Sequence, residues 1–363
     1  MSGEPGAVAV CSSGDRADAL AERLLAAGGP GPSSLVVHRG VDTDLGVVRA
    51  TGSRPELLER MRADADVALY AGLERRILRH RRSWPLGSVS PGAVSVYLTG
   101  ARPGLSAEDF QRYWERAHAP KALRHHIGFW DYAQVSIVGV EKGSPYHGIA
   151  VAQFPHEQDR GDRFTVDELG ARIIRDDTLR FADREHYESH AVDERILVEG
   201  PIPTGAPLRV GDARERSLGA EADEVWDLVG DFGEGIRWRC RDIDRCETTS
   251  DGGVGSARRL WHTDGREIVE RLVHHRPEDR MAQIEMDEGL PDGVLSFRYR
   301  IESRPDGRGG TLLGMYPRAT VRSDALGAFD AVVTDTWARI TAGLAAAGPD
   351  AADAGDQEPV SRA

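Results

Sequence analysis

Apolar and polar residues in the first 200 positions alternate in two ways, with a period of two in short runs and a period near 3.6 in longer ones. The first period is typical of strands and the second of amphipathic helices. The resulting order is strand, helix, strand, strand, helix, strand, and it occurs twice. The first copy is predicted at residues 7–11, 15–27, 35–38, 46–50, 55–65 and 67–70. The second is predicted at 93–98, 106–117, 129–140, 148–154 and 166–175, and it ends around His186, Tyr187 and Glu188.

This order is that of a ferredoxin-like module, so the chain is expected to begin with two such modules in tandem. The segments that close the two copies look alike, since Leu-Glu-Arg-Arg-Ile-Leu at 73–78 is similar to Asp-Glu-Arg-Ile-Leu at 193–197. We therefore expect an internal duplication. The predicted boundaries are a degenerate module at residues 1–90 and a second module at 91–200.

A third domain is predicted at residues 208–345, after a linker at 200–207 that is rich in Pro and Gly. A strand at 209–217 and a helix at 220–229 open it, and strands follow at 241–248, 255–262, 266–274, 281–287, 296–303 and 311–320. The last helix has an apolar stripe at helical spacing, formed by Leu326, Phe329, Val333, Trp337, Ile340 and Leu344. The polar tail at 346–363 is expected to be disordered.

The composition of the 363-residue chain narrows the function classes. A net charge of −13 argues against nucleic acids and anionic membranes as partners, because both attract a basic surface. No apolar run reaches the roughly 18 residues of a membrane span, and no secretion signal opens the chain, so we expect a cytoplasmic protein. Its three cysteines match no zinc spacing and indicate reduced thiols. Of 46 basic residues only two are lysines, a bias typical of GC-rich bacterial genomes.

We expect neither a metal nor a cofactor. The pairs His125-His126 and His274-His275 lack carboxylate or Cys partners at ligand spacing. The chain also has no phosphate loop, no dinucleotide fingerprint and no Gly-x-Ser-x-Gly elbow. The chemistry would therefore depend on the protein's own side chains.

The most informative stretch is 102–120. Pro103 and Gly104 predict a turn, and Ser106 can cap the helix that follows. We expect the helix to end at His118, because the residue before Pro120 is pushed out of the α region. The helix dipole would then favour the protonated imidazole. One face of the helix would carry Phe110, Tyr113, Trp114 and Ala117.

This stretch resembles the signature of the EthD-like proteins. The Pro-Gly-Leu-Ser lead, the Tyr-Trp pair and the His-Ala-Pro end carry the resemblance. It implies a dimeric α+β barrel, and a tandem copy would form that dimer inside one chain. The first copy lacks the His-Ala-Pro motif, so only the second is expected to hold a site.

His118 is the candidate base of that site, and Tyr113 is the second candidate catalytic group. A His with a nearby Tyr can move a proton at the carbon α to a carbonyl and hold the resulting oxyanion. The alternative is that Trp114 and His118 only pack and cap. The candidate substrate contacts are Tyr97, Trp114, Tyr132 and His147.

The third domain resembles the superfamily of START, Bet v 1 and polyketide cyclase/dehydrase domains. The resemblance is carried by Val225-Trp226, Val254-Gly255 with Arg258-Arg259, Val269-Glu270-Arg271-Leu272 and the last helix with Trp337. It implies a helix-grip fold, in which a long helix lies across a curved antiparallel sheet and leaves a deep cavity.

Strand alternation predicts which side chains face this cavity. Phe297, Tyr299 and Ile301 share one apolar face and are expected to point inward, so Arg298 and Arg300 would point to water. Tyr299 is a candidate catalytic group, and Phe297 is a candidate substrate contact.

Glu270 shares the buried face of its strand, and a buried carboxylate is costly unless it is paired or protonated. Two interpretations follow: an acid/base group with a raised pKa, or the ion-pair partner of an inward arginine such as Arg259. Trp238 and Trp261 could join Tyr299 in an aromatic wall that stacks on a planar ligand, or they could pack in the core.

The favoured hypothesis is an enzyme of polyketide or aromatic metabolism, such as antibiotic biosynthesis, acting as a cyclase or dehydratase on a hydrophobic small molecule. The first alternative is a binding protein whose cavity holds a hydrophobic ligand unchanged. The second is a cofactor-independent monooxygenase that acts through the EthD-like half. A homodimer is a further expectation.

Overall fold

A computed structural model describes residues 3–27, 31–80, 82, 84–161, 164–200, 207–211, 213–233, 243–249 and 252–347. The chain divides into two compact units, one comprising Met1–Ile202 and the other beginning at Pro203. They are called the N-terminal and C-terminal units below. Both contain helices and strands, so the mixed α+β class is confirmed. No helix in the described ranges combines the length and the apolarity that a membrane crossing requires.

The N-terminal unit is built around a ring of eight strands. These are β1 Glu4–Cys11, β2 Ser34–Gly40, β3 Gly46–Thr51, β4 Ala68–His80, β5 Ala93–Ala101, β6 Asp131–Lys142, β7 Gly148–Phe154 and β8 Ala182–Val198. The strands lie in the order β1-β3-β2-β8-β5-β7-β6-β4, and β4 also pairs with β1. Every neighbouring pair is antiparallel. The sheet therefore closes on itself and has no free edge strand.

In the described residues of this unit, six α-helices accompany the ring: α1 Gly14–Ala26, α2 Arg54–Met61, α3 Ala107–Tyr113, α4 Ala119–His125, α5 Glu157–Arg160 and α6 Glu168–Thr178. One apolar cluster draws residues from seven of the eight strands and fills the ring. Two further clusters join helices to strands. That of the first half is aliphatic and includes Leu20, Leu24, Leu57 and Met61. That of the second half is aromatic and includes Phe110, Trp114, Phe129, Phe154 and Phe181.

The helix of the 102–120 stretch begins as expected but does not end at His118. The Ser106 hydroxyl accepts a hydrogen bond from the Asp109 N–H at 3.1 Å, which confirms the cap. A π-helical turn at Trp114–His118 then leads directly into α4. In this turn the N–H of Ala119 bonds to the carbonyl of Trp114, five residues back, so the chain can accept Pro120 without breaking the helix. The prediction that the helix ends at His118 was therefore wrong, and so was the prediction that the end of a helix dipole acts on His118.

The C-terminal unit contains eight strands and two α-helices in its described residues. They are β9 Pro207–Gly211, β10 Arg214–Leu218, α7 Ala222–Val229, β11 Ile243–Thr248, β12 Ala257–His262, β13 Glu267–Arg276, β14 Met281–Glu288, β15 Val294–Pro305, β16 Thr311–Arg322 and α8 Leu326–Ala347. Strands β11 to β16 form an antiparallel meander, and β9 and β10 both pair with β16. The single strand expected at 209–217 is thus two strands.

The apolar stripe of the last helix packs as the spacing predicted. Phe329, Val333 and Leu344 are buried in the core cluster of this unit, and the other three stripe residues contact it. Phe297 and Tyr299 of β15 point into the same core. Arg300, expected in water, is instead 1% exposed, with its guanidinium 4.3 Å from the centre of the Tyr316 ring. A cation over an aromatic face can be buried where alternation alone predicts exposure.

Candidate functional site

The C-terminal unit holds a cavity of about 60 Å³ between the sheet and α8. Six aliphatic side chains line it, namely Leu228, Val229, Ile284, Ile301, Ile340 and Leu344. The polar groups in the lining are Asp231, Arg258, Glu270, Tyr299, Thr336 and Arg339. One ordered water needs roughly 15 Å³, and because the cavity is partly open to the surface, a ligand bound in it extends beyond this volume. An apolar chamber with a few convergent polar groups is typical of a small-molecule site.

Three of these polar groups, Arg258, Glu270 and Tyr299, form a buried hydrogen-bond network with Glu270 at its centre. One oxygen, Oε2, accepts hydrogen bonds from Arg258 Nε at 2.8 Å and lies 2.6 Å from Nη2. The other, Oε1, accepts a bond from the Tyr299 hydroxyl at 3.2 Å. Arg258 also lies over the Phe232 ring, 4.4 Å from its centre. Glu270 is therefore satisfied at both oxygens although its side chain is only 1% exposed.

The network determines the charge state of its members. Burial alone would raise the pKa of Glu270, but the charges of Arg258 and Arg339 and the hydrogen bonds to the carboxylate outweigh burial and lower it. Burial and the Glu270 charge raise the pKa of the Tyr299 phenol. The carboxylate is thus ionised and the phenol protonated near neutral pH. Of the two interpretations of Glu270, the ion pair is correct and the raised pKa is wrong.

Arg339 of α8 brings a second buried cation to the cavity wall. It is 7% exposed, and its Nη2 donates to the Thr336 hydroxyl at 3.2 Å. Its Nε lies 3.5 Å from a carboxylate oxygen of Asp335. The sequence reasoning did not select Arg339, although it follows Thr336 and precedes Ile340 on the face of the helix that meets the cavity.

The N-terminal unit contains a second cluster, centred on the buried carboxylate of Asp177 in α6. His118 Nδ1 lies 2.9 Å from Oδ2, and the Tyr113 hydroxyl donates to Oδ1 at 2.7 Å. The ammonium of Lys121 also donates to Oδ1. Burial would raise the pKa of Asp177, but hydrogen bonds from His118, Lys121 and Tyr113 outweigh burial and lower it. The cluster is called the Asp177 cluster below.

Comparison with protein families bears on both regions. Residues 102–185 match the family model described as EthD domain. Residues 213–347 match the model described as polyketide cyclase / dehydrase and lipid transport. Both family resemblances are confirmed. The two segments are called the EthD region and the cyclase-family region below, and the Asp177 cluster lies wholly within the EthD region.

Solved structures similar to the chain include truncated norcoclaurine synthase from Thalictrum flavum, which is 19% identical, with a TM-score of 0.35 over 39% of this chain and 95% of that one. Major latex-like protein 151 from Panax ginseng is 16% identical, with a TM-score of 0.33 over 38% and 96%. XoxI from Bacillus cereus is 19% identical, with a TM-score of 0.32 over 38% and 94%. No curated protein matches the chain with significance.

The structure corrects two candidates in the cyclase-family region. Arg259 does not point inward; it pairs with Glu267 and, at 3.3 Å, with Glu288 on the outer face. Trp261 has the same orientation along β12 and lies under Arg245, 4.5 Å from its guanidinium. Strand parity explains both errors, because Leu260 is fully buried and side chains two apart share a face. Had Leu260 been taken as the inward residue, Arg258 would have been chosen.

The aromatic wall expected from Trp238, Trp261 and Tyr299 loses Trp261, which lies on the outer face, and Phe297 is a separate candidate for substrate contact. Phe297 is buried between Tyr299 and Phe329, with ring centres 5.7 and 6.4 Å away, and is not among the lining residues of the cavity. Trp238 lies outside the described residues. Tyr299 is the expected aromatic residue that does line the cavity.

In the EthD region, His118 and Tyr113 meet at Asp177, whereas the remaining candidates lie elsewhere in the helix–sheet layer. Trp114 is 2% exposed and packs on Gly148, where an added Cβ would lie 2.4 Å from the indole. The Tyr132 hydroxyl accepts a bond from Gln134 at 2.9 Å, and burial raises its pKa to about 12.

Two further candidates in this layer have structural contacts of their own. His147 accepts a hydrogen bond at Nδ1 from the backbone N–H of Ala101 at 3.0 Å, and burial lowers its pKa. Tyr97 lies against Tyr187 with ring centres 6.1 Å apart, and burial raises its pKa. Neither residue has a hydrogen bond to the Asp177 cluster among the contacts described.

Sequence reasoning missed Asp177 and Lys121. Asp177 is 59 residues from His118 along the chain, and no local spacing links the two. Lys121 is one of only two lysines in the chain, which was a weak signal that its position matters. Across the described ranges, no group of three or more His, Cys, Asp or Glu side chains is placed to hold a metal ion.

Proposed function

We propose that the C-terminal unit is a tailoring enzyme of polyketide or aromatic metabolism, a cyclase or dehydratase that acts on a hydrophobic carbonyl compound. The observation that carries the proposal is the buried Arg258–Glu270–Tyr299 network at the wall of a cavity that six aliphatic side chains also line. A chamber for simple storage of an apolar ligand has no need of buried charges, which are costly to desolvate. The match to the polyketide cyclase / dehydrase model supports the same class of function.

The charge states suggest a role for each group. A protonated Tyr299 can donate a hydrogen bond or a proton to a carbonyl oxygen that becomes negative in an aldol closure. At rest the Tyr299 O–H donates to Oε1 of Glu270, which is ionised and held by Arg258. The O–H would therefore turn from Oε1 to the carbonyl oxygen when the substrate binds. Arg339 would add positive charge beside the developing oxyanion. Proton transfer then rests on Tyr299, the arginines stabilise negative charge without giving up a proton, and Glu270 is an anchor.

The alternative function is non-catalytic binding of a hydrophobic small molecule. The six aliphatic lining residues favour it, since apolar contacts supply affinity without chemistry. A third candidate, cofactor-independent oxidation in the EthD region, is supported by the His118 and Tyr113 side chains that meet at Asp177.

The N-terminal unit is proposed to be a tandem pair of ferredoxin-like modules. Support comes from the ring, in which the strands of the first half follow the order β4-β1-β3-β2 and those of the second half the equivalent order β8-β5-β7-β6. The halves meet through β2 with β8 and through β4 with β6. The proposed setting is the bacterial cytoplasm, and light scattering during size-exclusion chromatography would distinguish a monomer from a homodimer.

The test incubates the purified full chain with a poly-β-carbonyl thioester mimic and follows products by mass spectrometry. A cyclase or dehydratase releases a cyclised product or one lighter by a water molecule. Tyr299→Phe is expected to lower turnover at least about tenfold, because the acid is lost. Arg259→Ala, on the outer face of the same sheet, is the matched control and should retain full turnover. Saturable binding of the mimic without any product would instead establish the binding function.

A further inference from the structure

The polar groups of the C-terminal cavity carry unequal numbers of buried positive and negative charges. Among the described lining residues, two arginines and one carboxylate are at least nine-tenths buried: Arg258 is 4% exposed, Arg339 7% and Glu270 1%. The second carboxylate in the lining, Asp231, is exposed and accepts a hydrogen bond from the backbone N–H of Gly233 at 2.8 Å. The buried part of the described wall therefore has one more positive charge than negative charge.

The charge of Arg258 is matched within its ion pair with Glu270. Nε and Nη2 of Arg258 lie 2.8 and 2.6 Å from the same carboxylate oxygen. Two contacts at these distances make a strong charge-assisted pair. The excess positive charge is therefore that of Arg339. This count depends on the charges of the buried groups, and not on which contacts Arg339 makes.

Arg339 contacts a carboxylate that remains partly in water. Its Nε lies 3.5 Å from an oxygen of Asp335, whose side chain is 36% exposed. The same oxygen lies 3.1 Å from Nη1 of Arg266, so two guanidinium groups share it. A hydrated and shared carboxylate offsets only part of a buried charge, because water screens the attraction. An anionic group inside the cavity would offset the rest.

The face of α8 that meets the cavity changes from polar to apolar along the helix. Thr336 and Arg339 lie in one turn, and Ile340, Gly343 and Leu344 follow in the next. Residues three or four apart share one face of a helix. Thr336 is 2% exposed, and its hydroxyl accepts a hydrogen bond from Nη2 of Arg339 at 3.2 Å. This face is thus divided into a cationic end and an aliphatic end.

We propose that the ligand of this cavity is a hydrophobic carboxylic acid, with its carboxylate bound by Arg339 and its apolar body against Ile340 and Leu344. A planar guanidinium matches a carboxylate in shape, since two parallel N–H groups can donate to its two oxygens. A guanidinium has five N–H groups, so one that binds an acid can also face the oxygen that becomes negative in the proposed reaction. The inference rests on the proposed function of the cavity and adds the charge of the ligand to it. Arg339 then determines specificity for an acid over a neutral compound.

The test compares two ligands that have the same shape and differ in charge, 4-phenylbutanoate and 4-phenylbutanamide. Isothermal titration calorimetry of the full chain at neutral pH gives the dissociation constant of each. We expect the acid to bind at least about tenfold more tightly than the amide, because a charge-assisted hydrogen bond is stronger than a neutral one. Octanoate, titrated in parallel, distinguishes an alkyl acid from an aryl acid as the source of the same carboxylate.

Three variants locate the ligand. Arg339→Gln should weaken binding of the acid at least about tenfold and change binding of the amide by less than about twofold, because only the acid loses its counter-charge. Arg259→Gln, on the outer face of the same unit, is the matched control and should keep the preference for the acid. Leu344→Ala should weaken both ligands by a similar factor of about three or more, since both lose the same apolar contact.

A second measurement covers the case in which Arg339→Gln does not fold. In the wild type, the preference for the acid should change less than about twofold between low and high salt, because a buried ion pair is screened much less than an exposed one. Equal affinities of acid and amide, no saturable binding of either, a preference lost in high salt, or a preference that survives in Arg339→Gln would each overturn the inference.

The outcomes also separate this inference from the proposed function. Equal and saturable affinities of the acid and the amide would overturn the inference alone, and the proposed cyclase function would stand. An acid preference that depends on Arg339, without any cyclised or dehydrated product from the thioester mimic, would support the inference and overturn the cyclase.

Discussion

In each unit a buried carboxylate binds a tyrosine hydroxyl and a cation, and the two sites differ in the nitrogen donors that bind the carboxylate. Glu270 receives Tyr299 and Arg258, whereas Asp177 receives Tyr113, Lys121 and His118. Arginine keeps its proton at any physiological pH, but histidine exchanges one near neutrality. The comparison teaches that similar hydrogen-bond patterns can be built from donors of different chemistry. The Glu270 network uses an arginine, and the Asp177 cluster uses a histidine and a lysine.

The exposed fractions of the side chains also differ between the Glu270 network and the Asp177 cluster. The side chains of Arg258 and Glu270 are 5% and 1% exposed, so both charges of that pair have lost their water. In the Asp177 cluster the carboxylate is 3% exposed, but Lys121 remains 39% exposed. Removal of one member should therefore harm the Glu270 network more than the Asp177 cluster. The four predictions below test this ordering.

The largest effect is expected for Arg258→Ala, which leaves Glu270 buried without a counter-charge. A broken buried ion pair costs about 3–5 kcal/mol of unfolding free energy. Urea denaturation of the C-terminal unit would measure it. Arg259→Ala, at the next position but 38% exposed, should change the unfolding free energy by less than about 1 kcal/mol. Equal losses in the two variants would contradict the assigned faces of β12.

The next largest is expected for Asp177→Asn. The amide keeps the shape but weakens three charge-assisted hydrogen bonds, and a loss of about 1.5–3 kcal/mol follows. Asp176→Asn provides the comparison, because that side chain is 60% exposed and its nearest cation, Arg175, lies 3.6 Å away. Denaturant unfolding of the N-terminal unit should show a loss only for position 177. No loss at that position would mean that the cluster contributes nothing to stability.

The pH dependence gives a third test. Since hydrogen bonds from His118, Lys121 and Tyr113 outweigh burial and lower the pKa of Asp177 in the folded state, its contribution is present above the unfolded value of about 3.9 and is lost as the pH falls toward the folded value. The difference in unfolding free energy between the wild type and Asp177→Asn should thus be largest near neutral pH and shrink below about pH 4. A difference that grows as the pH falls would contradict a lowered pKa of Asp177 in the folded state.

The smallest effects are expected for the tyrosines. Tyr299→Phe removes the 3.2 Å hydrogen bond that satisfies Glu270 Oε1 and should cost about 1–2 kcal/mol. Tyr113→Phe should cost less than about 1 kcal/mol, because Lys121 still donates to the same oxygen of Asp177. Thermal unfolding of both variants would compare them. A larger loss for Tyr113→Phe would show that Lys121 does not compensate for the missing hydroxyl at Asp177.

Periodicity predicted much of the fold because each element buries one face. The range predicted for β7 coincides with Gly148–Phe154, and the stripe of α8 packs as its spacing requires. The helix end at Pro120 was missed because a π-helical turn can absorb a proline, and no sequence period marks such a turn. The expected strand at 209–217 is two strands, although both pair with β16.

The candidate sites were less predictable because their members come from separate elements. Arg258 lies directly opposite Glu270 in the β12–β13 ladder, a register that a single strand cannot reveal. The pairing was therefore expected, but with the wrong one of two adjacent arginines. Asp177 reaches His118 only because α6 packs beside the π-helical turn, which depends on tertiary structure. Local spacing can indicate a candidate histidine, but it does not predict which distant carboxylate orients that histidine.

Closure of the eight-stranded ring within a single polypeptide has an evolutionary consequence. In a barrel assembled from two identical subunits, every substitution is present twice, and dilution can separate the partners. Here the seams between β2 and β8 and between β4 and β6 join segments of one molecule, so the barrel persists at any concentration. Each half is also encoded separately. One half is free to keep a plain aliphatic filling while the other acquires a histidine, a lysine and an aspartate, without any compromise imposed by symmetry.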